Sequence, residues 1–285
     1  MTRLPSHPRW TIALTSVAFF MVALDALVVV TALPTDHRDL DASLASLQWT
    51  INAYTLAWAA AIGTAAALGD RYGRRRVFTV GLVLFAVASA GCAVAKSIDA
   101  LIAARVVQGI AAGTIMPLSL TLLSTAFPAE RRGAMLGIWG AVGGLAVAAG
   151  PLVGGAVTQG LSWPWIFWIN VPIGLAAAGL VMLRLPESLG PAARLDLPGV
   201  ALVSAAAVCI VLGLVRAAEV GWTSVETMGM LGLGALLMVA FVAWELSAQQ
   251  PALPMRLFRN VSFSAANATS FCMTGAQTAA AFLIA

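Results

Sequence analysis

The sequence predicts an all-α membrane protein, a polytopic bundle of transmembrane helices, and two observations carry that prediction. The first is composition: hydrophobic residues make up 60% of the 285 residues and charged residues 10%, with a mean hydropathy of +0.92, whereas about a quarter of the residues in soluble domains are charged. The second is a series of apolar runs of about twenty residues, each long enough to cross about 30 Å of hydrocarbon as a helix. The runs lie near 10–33, 47–68, 77–95, 100–126, 134–158, 165–184, 197–215 and 227–247, and a ninth begins near 261.

Two alternative interpretations of these runs are excluded. Strands that cross a membrane alternate apolar and polar residues over about ten positions, whereas these runs are continuous and about twice as long. The first run could be a secretion signal, but its apolar core exceeds the roughly 7–15 residues of such signals. Pro34 and Asp36 follow it in place of a small-residue cleavage site. We therefore expect a retained first span.

The basic residues are distributed unevenly between alternate loops, which predicts the orientation of the chain. One set of loops holds Arg38, Lys96 and Arg216. The N-terminal arm and the other set hold Arg3, Arg9, Arg71, Arg74, Arg75, Arg76, Arg131, Arg132, Arg184, Arg194, Arg256 and Arg259. Since loops rich in Lys and Arg stay inside, we expect a multi-pass protein of the cell inner (plasma) membrane with a cytoplasmic N-terminus. The net charge of +4 and the pI near 9.5 then reflect topology, and no nucleic-acid partner is expected.

Two charged residues lie well inside apolar runs, Asp25 and Arg105. A charge at the centre of a membrane helix costs about 3 kcal/mol on insertion scales, so each needs a partner, a wet cavity or a function. A rise of about 1.5 Å per residue places Asp25 roughly 22 Å above the inner boundary and Arg105 roughly 9 Å below the outer one. In a layer of about 30 Å the two lie at nearly the same level, which predicts a pair or a shared polar cavity.

The pair has two interpretations. A carboxyl group whose surroundings change between a cation and an apolar pocket can take up and release a proton, so Asp25 could exchange protons for cargo. The alternative is a fixed ion pair that locks the first and fourth helices together. Several residues could line a cavity, although a polar residue alone more often makes a hydrogen bond between helices. They are Asn52, Tyr54, Gln108, Gly109, Ser119, Thr121, Asn267 and Gln277.

Small residues cluster in the fifth run, which carries eight glycines between 133 and 155. Small residues four apart let helices approach closely in lipid, so we expect this helix to pack tightly against a neighbour. A proline after Gly150 removes a backbone hydrogen bond and should bend the helix. Gly150, Pro151, Gly154 and Gly155 are then either a passively kinked packing surface or a seam that moves, and both interpretations stay open.

The loop GDRYGRRR at 69–76 places one carboxylate and four arginines between two apolar runs, as a cytoplasmic hairpin of a membrane transporter does. Asp70, Arg71, Gly73, Arg74 and Arg75 match the D-R-x-G-R-R loop motif of the major facilitator superfamily. The chain resembles the fourteen-helix drug:proton antiporter branch of that family, which contains multidrug efflux transporters. The resemblance implies that this loop is a cytoplasmic latch, a charge-relay clamp between two halves that favours one conformational state.

Further motifs of the family follow in order on the expected runs. Arg105, Gln108 and Gly109 match the fourth-helix motif R-x-x-Q-G, which the resemblance links to proton coupling, and residues 150–155 match the antiporter motif G-P-x-x-G-G. LDALVVVTALP at 24–34 resembles the first-helix signature with its intramembrane aspartate, and SWPWIFWINVPIG at 162–174 resembles the start of the sixth helix. The chain departs from the family where a glycine, a threonine and an asparagine are usual, at Ala66, Leu27 and Val30.

The resemblance also implies three regions: a six-helix N-terminal transporter half at 1–190, two additional transmembrane helices with a linker at 191–250, and the start of a C-terminal half at 251–285. Alternating access needs two bundles that rock around a site at their interface, and one bundle is present. We therefore expect a truncated transporter.

Charge placement and resemblance together imply proton-coupled efflux of lipophilic, cationic drugs or toxic compounds across the cytoplasmic membrane by alternating access. The proton gradient would supply the energy, without cofactor or metal ion, and the partners would be the lipid bilayer, a small-molecule substrate and protons. Two alternatives stay open: a narrow-specificity metabolite or antibiotic exporter, and a membrane fragment that transports nothing. An enzyme is not expected, because His7 and His37 lie in the terminal arm and an outer loop, and no nucleophile, metal or phosphate-binding constellation is present.

Overall fold

The computed structural model describes residues 8–39, 44–190, 196–248, 251 and 253–284, and side chains outside 30–45, 158–159 and 277–284. The described residues form ten α-helices and one short 3-10 helix, without a strand. The helices are α1 (Pro8–Asp39), α2 (Leu44–Tyr72), α3 (Arg74–Ala93), α4 (Ile98–Ala126), α5 (Ala129–Gly160), α6 (Trp165–Trp168), α7 (Asn170–Arg184), α8 (Leu197–Val220), α9 (Val225–Ser247) and α10 (Val261–Ile284), and the 3-10 helix is Met255–Arg259. The predicted all-helical fold is confirmed.

Within the described part of the chain, eight stretches of helix are long and apolar enough to cross a membrane, and they coincide with the eight apolar runs. The sixth is composite, because α6 and α7 together make the stretch Trp165–Arg184. The ninth run is helical as predicted, from Val261 onward. The protein is therefore a multi-pass membrane protein.

The ends of the helices are explained by local capping groups. Ser97 and Ser224 accept hydrogen bonds from the third amide of α4 and α9, and Asp196 does the same for α8. Each satisfies an amide that the helix itself leaves without a partner. Between α2 and α3 the chain turns at Gly73, whose φ of 108° is accessible mainly to glycine.

Helices α1 to α7 pack into one bundle with α4 at its centre, in contact with α1, α2 and α3, while α7 lies on α3 and α1. Two apolar clusters fill the bundle. One, toward the end that carries the 69–76 hairpin (the hairpin end), includes Met21, Phe78 and Leu118. The other, toward the opposite end (the distal end), includes Val28 and Phe167. On α1 the fully buried residues of the first cluster end at Val22 and those of the second begin at Leu24, so Asp25 lies close to their boundary.

The additional helices α8 and α9 form an antiparallel hairpin that packs on α2. The Ser204 hydroxyl donates a hydrogen bond of 3.0 Å to the Ala60 carbonyl of α2. Within the hairpin, Trp244 donates to the Asp196 carboxylate at one end, at 2.8 Å, and Arg216 contacts Glu226 at the other, at 3.1 Å. Helices α8 and α9 are thus bonded to each other at both ends, and the hairpin packs against the main bundle.

Helix α5 packs mainly on α1, and only one side of its glycine-rich surface is in contact. A Cβ added at Gly143 would meet the ring of Phe19, and one at Gly150 would meet Leu27. At Gly133, Gly137, Gly140 and Gly144 it would meet no described atom within 4 Å. One face of α5 is therefore packed against α1, and the opposite glycines have no described atom at this distance. The helix also continues through Pro151 to Gly160.

Candidate functional site

Asp25 and Arg105 are in direct contact inside the bundle. The Arg105 Nη1 atom donates to the Asp25 Oδ2 atom at 2.5 Å, and the two residues are 3% and 0% exposed. Of the two arrangements that the depths predict, a pair and a shared polar cavity, the structure shows the pair. Both charges are buried away from water. An isolated charge would be very unfavourable in these surroundings, so the pair persists only because each charge neutralises the other.

Two amide side chains complete the surroundings of the Asp25 carboxylate. The Oδ1 atom accepts hydrogen bonds from Gln108 Nε2 at 2.9 Å and from Asn170 Nδ2 at 2.8 Å. Asp25 lies on α1, Gln108 on α4 and Asn170 at the first position of α7. Three helices therefore meet at one carboxylate.

Arg105 is held by several groups besides Asp25. Its Nη1 atom also donates to Gln108 Oε1 at 2.7 Å, and its Nε atom donates to the Thr50 carbonyl at 3.3 Å. The guanidinium lies 3.9 Å from the centre of the Tyr54 ring and 5.9 Å from that of Phe167. A cation over an aromatic face is stabilised by the ring quadrupole, more strongly when water is excluded. The Nη2 atom has no hydrogen-bond partner among the described residues.

Gln108 connects the pair to α3. Its Nε2 atom donates to Ser89 at 2.7 Å as well as to Asp25, and its Oε1 atom accepts from Arg105 and, at 3.6 Å, from the Cys92 thiol. These four contacts match the two donors and two acceptor sites of a primary amide. Gln108 therefore has a full set of partners without water.

The spacing of these residues along each helix explains why they meet. Arg105 and Gln108 are three apart on α4, and Ser89 and Cys92 are three apart on α3, so each pair shares one helix face. At Gly109, next to Gln108, an added Cβ would meet the backbone carbonyl of Tyr54. The R-x-x-Q-G spacing thus supplies a cation, an amide and a place where α2 can approach α4 closely.

The residues predicted to line a cavity lie in different surroundings. Tyr54, Gln108 and Gly109 are buried inside the packed cluster, so they can face a cavity only after the cluster opens. Asn52 is half-buried on α2, and Ser119 is buried and bonded to its own helix through the Met116 carbonyl. Gln277 lies outside the described side chains.

The hairpin residues form a second polar group at the hairpin end. Arg74 donates to Asp70 at 2.8 Å, one turn apart across the α2–α3 junction. Arg75 donates to the Leu185 carbonyl at 3.0 Å, whereas Arg71 is exposed, 5.4 Å from the centre of the Tyr72 ring. Of the predicted latch residues, the structure therefore binds Asp70, Arg74 and Arg75 to neighbours and leaves Arg71 at the surface.

Glu187, which follows α7, caps the start of α3. Its carboxylate accepts hydrogen bonds from the backbone amides of Arg75, at 2.9 Å, and Arg76, at 3.3 Å. The two arginine side chains lie 3.6 and 3.7 Å from the same carboxylate. A carboxylate at a helix N-terminus is favoured by the exposed amides and by the helix dipole. Backbone bonds from Arg74 to Ser188 and from Gly190 to Asp70 fasten the same segment to the hairpin.

Sequence reasoning missed Asn170, Ser89 and Glu187. Asn170 is the only amide side chain in the sixth apolar run, a signal that could have placed it among the candidates because polar side chains within membrane helices need partners. Glu187 follows that run on the side rich in arginine, which is also a usable signal. Ser89 has no comparable signal, since a serine in a membrane helix can bond within its own helix.

Comparison with known proteins agrees with this architecture. The profile of the Major Facilitator Superfamily matches residues 15–285. The chain is 40% identical over 264 residues to a tetracenomycin C resistance and export protein of Streptomyces glaucescens, covering 92% of this chain and 49% of that protein. It is 34% identical over 257 residues to multidrug resistance protein 3 of Bacillus subtilis (strain 168), covering 90% and 50%, and 40% identical over 248 residues to the puromycin resistance protein pur8 of Streptomyces alboniger, covering 86% and 49%.

A solved structure has the same fold. It is a bacterial homologue of the human lysosomal transporter Spinster in an inward-facing, unoccupied conformation, with a TM-score of 0.55 and 16% identity over 86% of this chain and 62% of that one. The chain spans about half the length of the curated relatives named above. With the family profile covering nearly all of it, this chain belongs to the Major Facilitator Superfamily.

Proposed function

We propose that this chain is part of a proton-coupled exporter of lipophilic, cationic compounds that works by alternating access in the plasma membrane. The observation that carries the proposal is the Asp25–Arg105 pair, buried among helices α1, α2, α3, α4 and α7. The relatives' names, which concern multidrug resistance and antibiotic export, support export as the direction.

The charge of Asp25 can be neutralised in two ways, by Arg105 in the closed cluster or by a new partner after the cluster opens. In the closed cluster, Arg105 balances its charge. If α1 and α4 move apart, the carboxylate must find another counter-charge, because an unpaired buried charge is strongly unfavourable. A proton and a cationic cargo can each supply it, but they compete for the same oxygen atoms. Mutually exclusive binding of proton and cargo is the basis of exchange, and it is why we propose a cationic cargo.

The hairpin would control which state the bundle adopts. Asp70, Arg71, Gly73, Arg74 and Arg75 would form the latch, and the excess of arginine there supports a cytoplasmic location. The exposed guanidinium of Arg71 is a basic group at the surface that is available for contact with another part of the transporter. We propose that the bonded residues hold the hairpin in shape while Arg71 makes the contact that is broken and remade.

Helix α5 would provide the flexible seam. Its face toward α1 is packed at Gly143 and Gly150, while Gly137, Gly140 and Gly144 have no described neighbour. We propose that the segment containing Gly150, Pro151, Gly154 and Gly155 bends when the bundle rocks. The removed backbone hydrogen bond at Pro151 makes this the place where bending meets the least resistance.

A second candidate is an exporter with one antibiotic or metabolite as its cargo. Relatives named for tetracenomycin C and puromycin resistance favour it, and they are as similar to this chain as relatives named for multidrug resistance. Both candidates need a second bundle, because alternating access operates between two. The third candidate is a membrane protein that transports nothing by itself.

A vesicle assay separates these possibilities. The complete natural protein is placed in energised membrane vesicles and efflux of a cationic dye is followed with and without a proton uncoupler. Proton-coupled export predicts efflux that the uncoupler abolishes. Efflux that survives the uncoupler contradicts the coupling, efflux of a single compound among many favours the narrow exporter, and the same assay on residues 1–285 alone tests whether they transport.

A further inference from the structure

We propose that Asn170 is a positioning residue for proton exchange: together with Gln108 it occupies the Oδ1 atom of Asp25, so that the proton is taken up at Oδ2, the oxygen that faces Arg105. The inference rests on the proposed function, since it applies only if Asp25 exchanges a proton. Asn170 lies outside the motifs that assign roles to Asp25, Arg105 and Gln108.

The occupancy of the two carboxylate oxygens is unequal. Oδ1 accepts two hydrogen bonds, from Asn170 at 2.8 Å and Gln108 at 2.9 Å, and a carboxylate oxygen has about two lone-pair sites. Oδ2 accepts one bond, from Arg105 at 2.5 Å, and has no second donor among the described residues. A proton arriving at the closed cluster therefore finds its open site on Oδ2.

Both amides are held firmly in place. Asn170 is buried at the start of α7, and one turn later Gly174 lies so close to α3 that an added Cβ would be 3.1 Å from Ala86 and 3.3 Å from the Leu82 carbonyl. Gln108 is fixed by its bonds to Ser89 and Arg105. The two donors to Oδ1 are thus preorganised, and they keep the carboxyl group in one orientation.

Protonation then changes one bond and leaves the others. A proton binds a lone pair of Oδ2, an O–H bond forms, and the carboxyl group becomes neutral while Arg105 keeps its charge. The ion pair between Oδ2 and Arg105 is lost, because the carboxyl group no longer carries a charge, and a neutral acceptor holds the guanidinium more weakly than an ionised one. Arg105 retains the Gln108 oxygen, the Thr50 carbonyl and the Tyr54 ring.

The consequence is directional. Asp25 stays bound to α7 through Asn170 and to α4 through Gln108, and the contact that opens is the one with the Arg105 guanidinium. The titratable groups around Asp25 come from three helices: Tyr54 on α2, Cys92 on α3 and Arg105 on α4. Of these three described groups, Arg105 is the cation. Release of the contact between Asp25 and Arg105 is therefore the electrostatic event that protonation controls.

Difference infrared spectroscopy tests this in the complete protein in lipid. Acidification should produce a carboxylic C=O band that is missing in Asp25→Asn. In Asn170→Ala that band should move to higher wavenumber. With the proton on Oδ2, Oδ1 is the carbonyl oxygen, and in this variant it has lost one hydrogen-bond donor. Thr15→Val is the matched control, since Thr15 is buried on α1 but bonds within its own helix to Thr11 and Ile12, and the band should not move.

The outcomes distinguish this inference from the proposed function. If Asp25→Asn removes no band, Asp25 takes up no proton and both proposals are overturned. If the band is present but unmoved in Asn170→Ala, proton exchange stands and the role of Asn170 is wrong.

A second measurement needs no variant. Solid-state NMR of the isotope-labelled wild-type protein should show the Asn170 side-chain nitrogen near the Asp25 carboxyl carbon at high and low pH, and the Arg105 nitrogens near it only at high pH. Loss of the Asn170 contact at low pH with retention of the Arg105 contact would overturn the inference.

Discussion

At the scale of single residues, Gln108 has as large a part as the two charges. It bonds to Asp25, Arg105, Ser89 and Cys92, and so joins α1, α3 and α4 at one point. Because buried polar networks are stable only when each member has its partners, a change at one member affects the others. Substitutions in this cluster should therefore have coupled effects.

Asp25→Asn should abolish efflux driven by a pH gradient while leaving membrane insertion intact. Asparagine keeps the size of the side chain and one acceptor oxygen, but it replaces the other oxygen by an NH2 donor and takes up no proton. We expect efflux in energised vesicles to fall to the level seen with an uncoupler, with normal amounts of protein in the membrane. Thr15→Val, the buried control on the same helix, should transport normally. Unchanged efflux by Asp25→Asn would refute the coupling role.

Arg105→Met should destabilise the protein by about 3–5 kcal/mol, because removing one partner of a buried ion pair leaves an uncompensated charge. Thermal unfolding in detergent measures the effect. The double variant Asp25→Asn/Arg105→Met should recover most of the loss, since neither charge then remains. A double variant no more stable than Arg105→Met would show that the loss comes from packing against Tyr54 and Phe167.

At the scale of elements, the α2–α3 hairpin is shaped by contacts with the segment after α7. Glu187 caps α3, and Gly73 makes the turn with a positive φ. An added Cβ at Gly73 would lie 2.7 Å from the Glu187 carboxyl carbon. The turn and the cap are therefore one unit, and a side chain at Gly73 would disturb both.

Gly73→Ala should destabilise the protein by about 1–3 kcal/mol, the range for a residue held in a sparsely populated backbone conformation. The melting temperature in detergent checks it. Gly232→Ala is the matched control, because Gly232 lies within α9 and an added Cβ there meets no described atom within 4 Å. Equal melting temperatures for Gly73→Ala and the wild type would contradict the structural role of the turn.

Asp70→Ala should lower the turnover of transport without changing which compounds compete for export. Asp70 bonds to Arg74 at the hairpin, far along α2 from the buried cluster, so its loss should change the rate of switching rather than the cargo site. Competition between dyes in vesicles gives both quantities. A changed set of competing compounds with normal turnover would refute the latch.

The elements themselves could be predicted from the sequence because about twenty apolar residues in a row have one solution in a bilayer. Their ends were less accurate: α1 is Pro8–Asp39 against a predicted 10–33, and α5 is Ala129–Gly160 against 134–158. Polar and charged residues extend helices beyond the hydrocarbon, where hydropathy carries no signal. The break between α6 and α7, which places Asn170 at a helix start, has no hydropathy signal either.

The candidate site was predictable in part. Asp25 and Arg105 were paired by depth alone, because helix rise converts residue number into height. The pairing of Asn170 and Ser89 with the cluster depends on how α3 and α7 rotate about their axes, and that rotation is set by packing such as the close approach at Gly174. One sequence without this packing cannot determine which small polar residues point inward.

At the scale of the whole molecule, the proposed orientation in the membrane would place the hairpin in the cytoplasm. The hairpin end and the distal end of the bundle can be distinguished chemically, because Tyr72 and Lys96 are exposed at opposite ends of α3. Arginine is concentrated at the hairpin end.

Single cysteines at Tyr72 and Lys96 should test this orientation in a chain whose native Cys92, Cys209 and Cys272 are replaced by alanine. A thiol reagent that does not cross membranes, added to intact cells, should label Lys96→Cys and leave Tyr72→Cys unlabelled. Both should react after the cells are opened. The reverse pattern in intact cells would place the N-terminus outside and the latch on the wrong side of the membrane.

The polar cluster lies at the boundary between two apolar clusters, one toward each end of the bundle. Directional bonds tolerate little displacement, whereas packed apolar helix faces can accommodate small sliding shifts. Helices joined by directional bonds at one depth, and by apolar contacts above and below it, can tilt about that depth. Asp25 would then move little, while the hairpin end and the distal end of the bundle widen and narrow in turn.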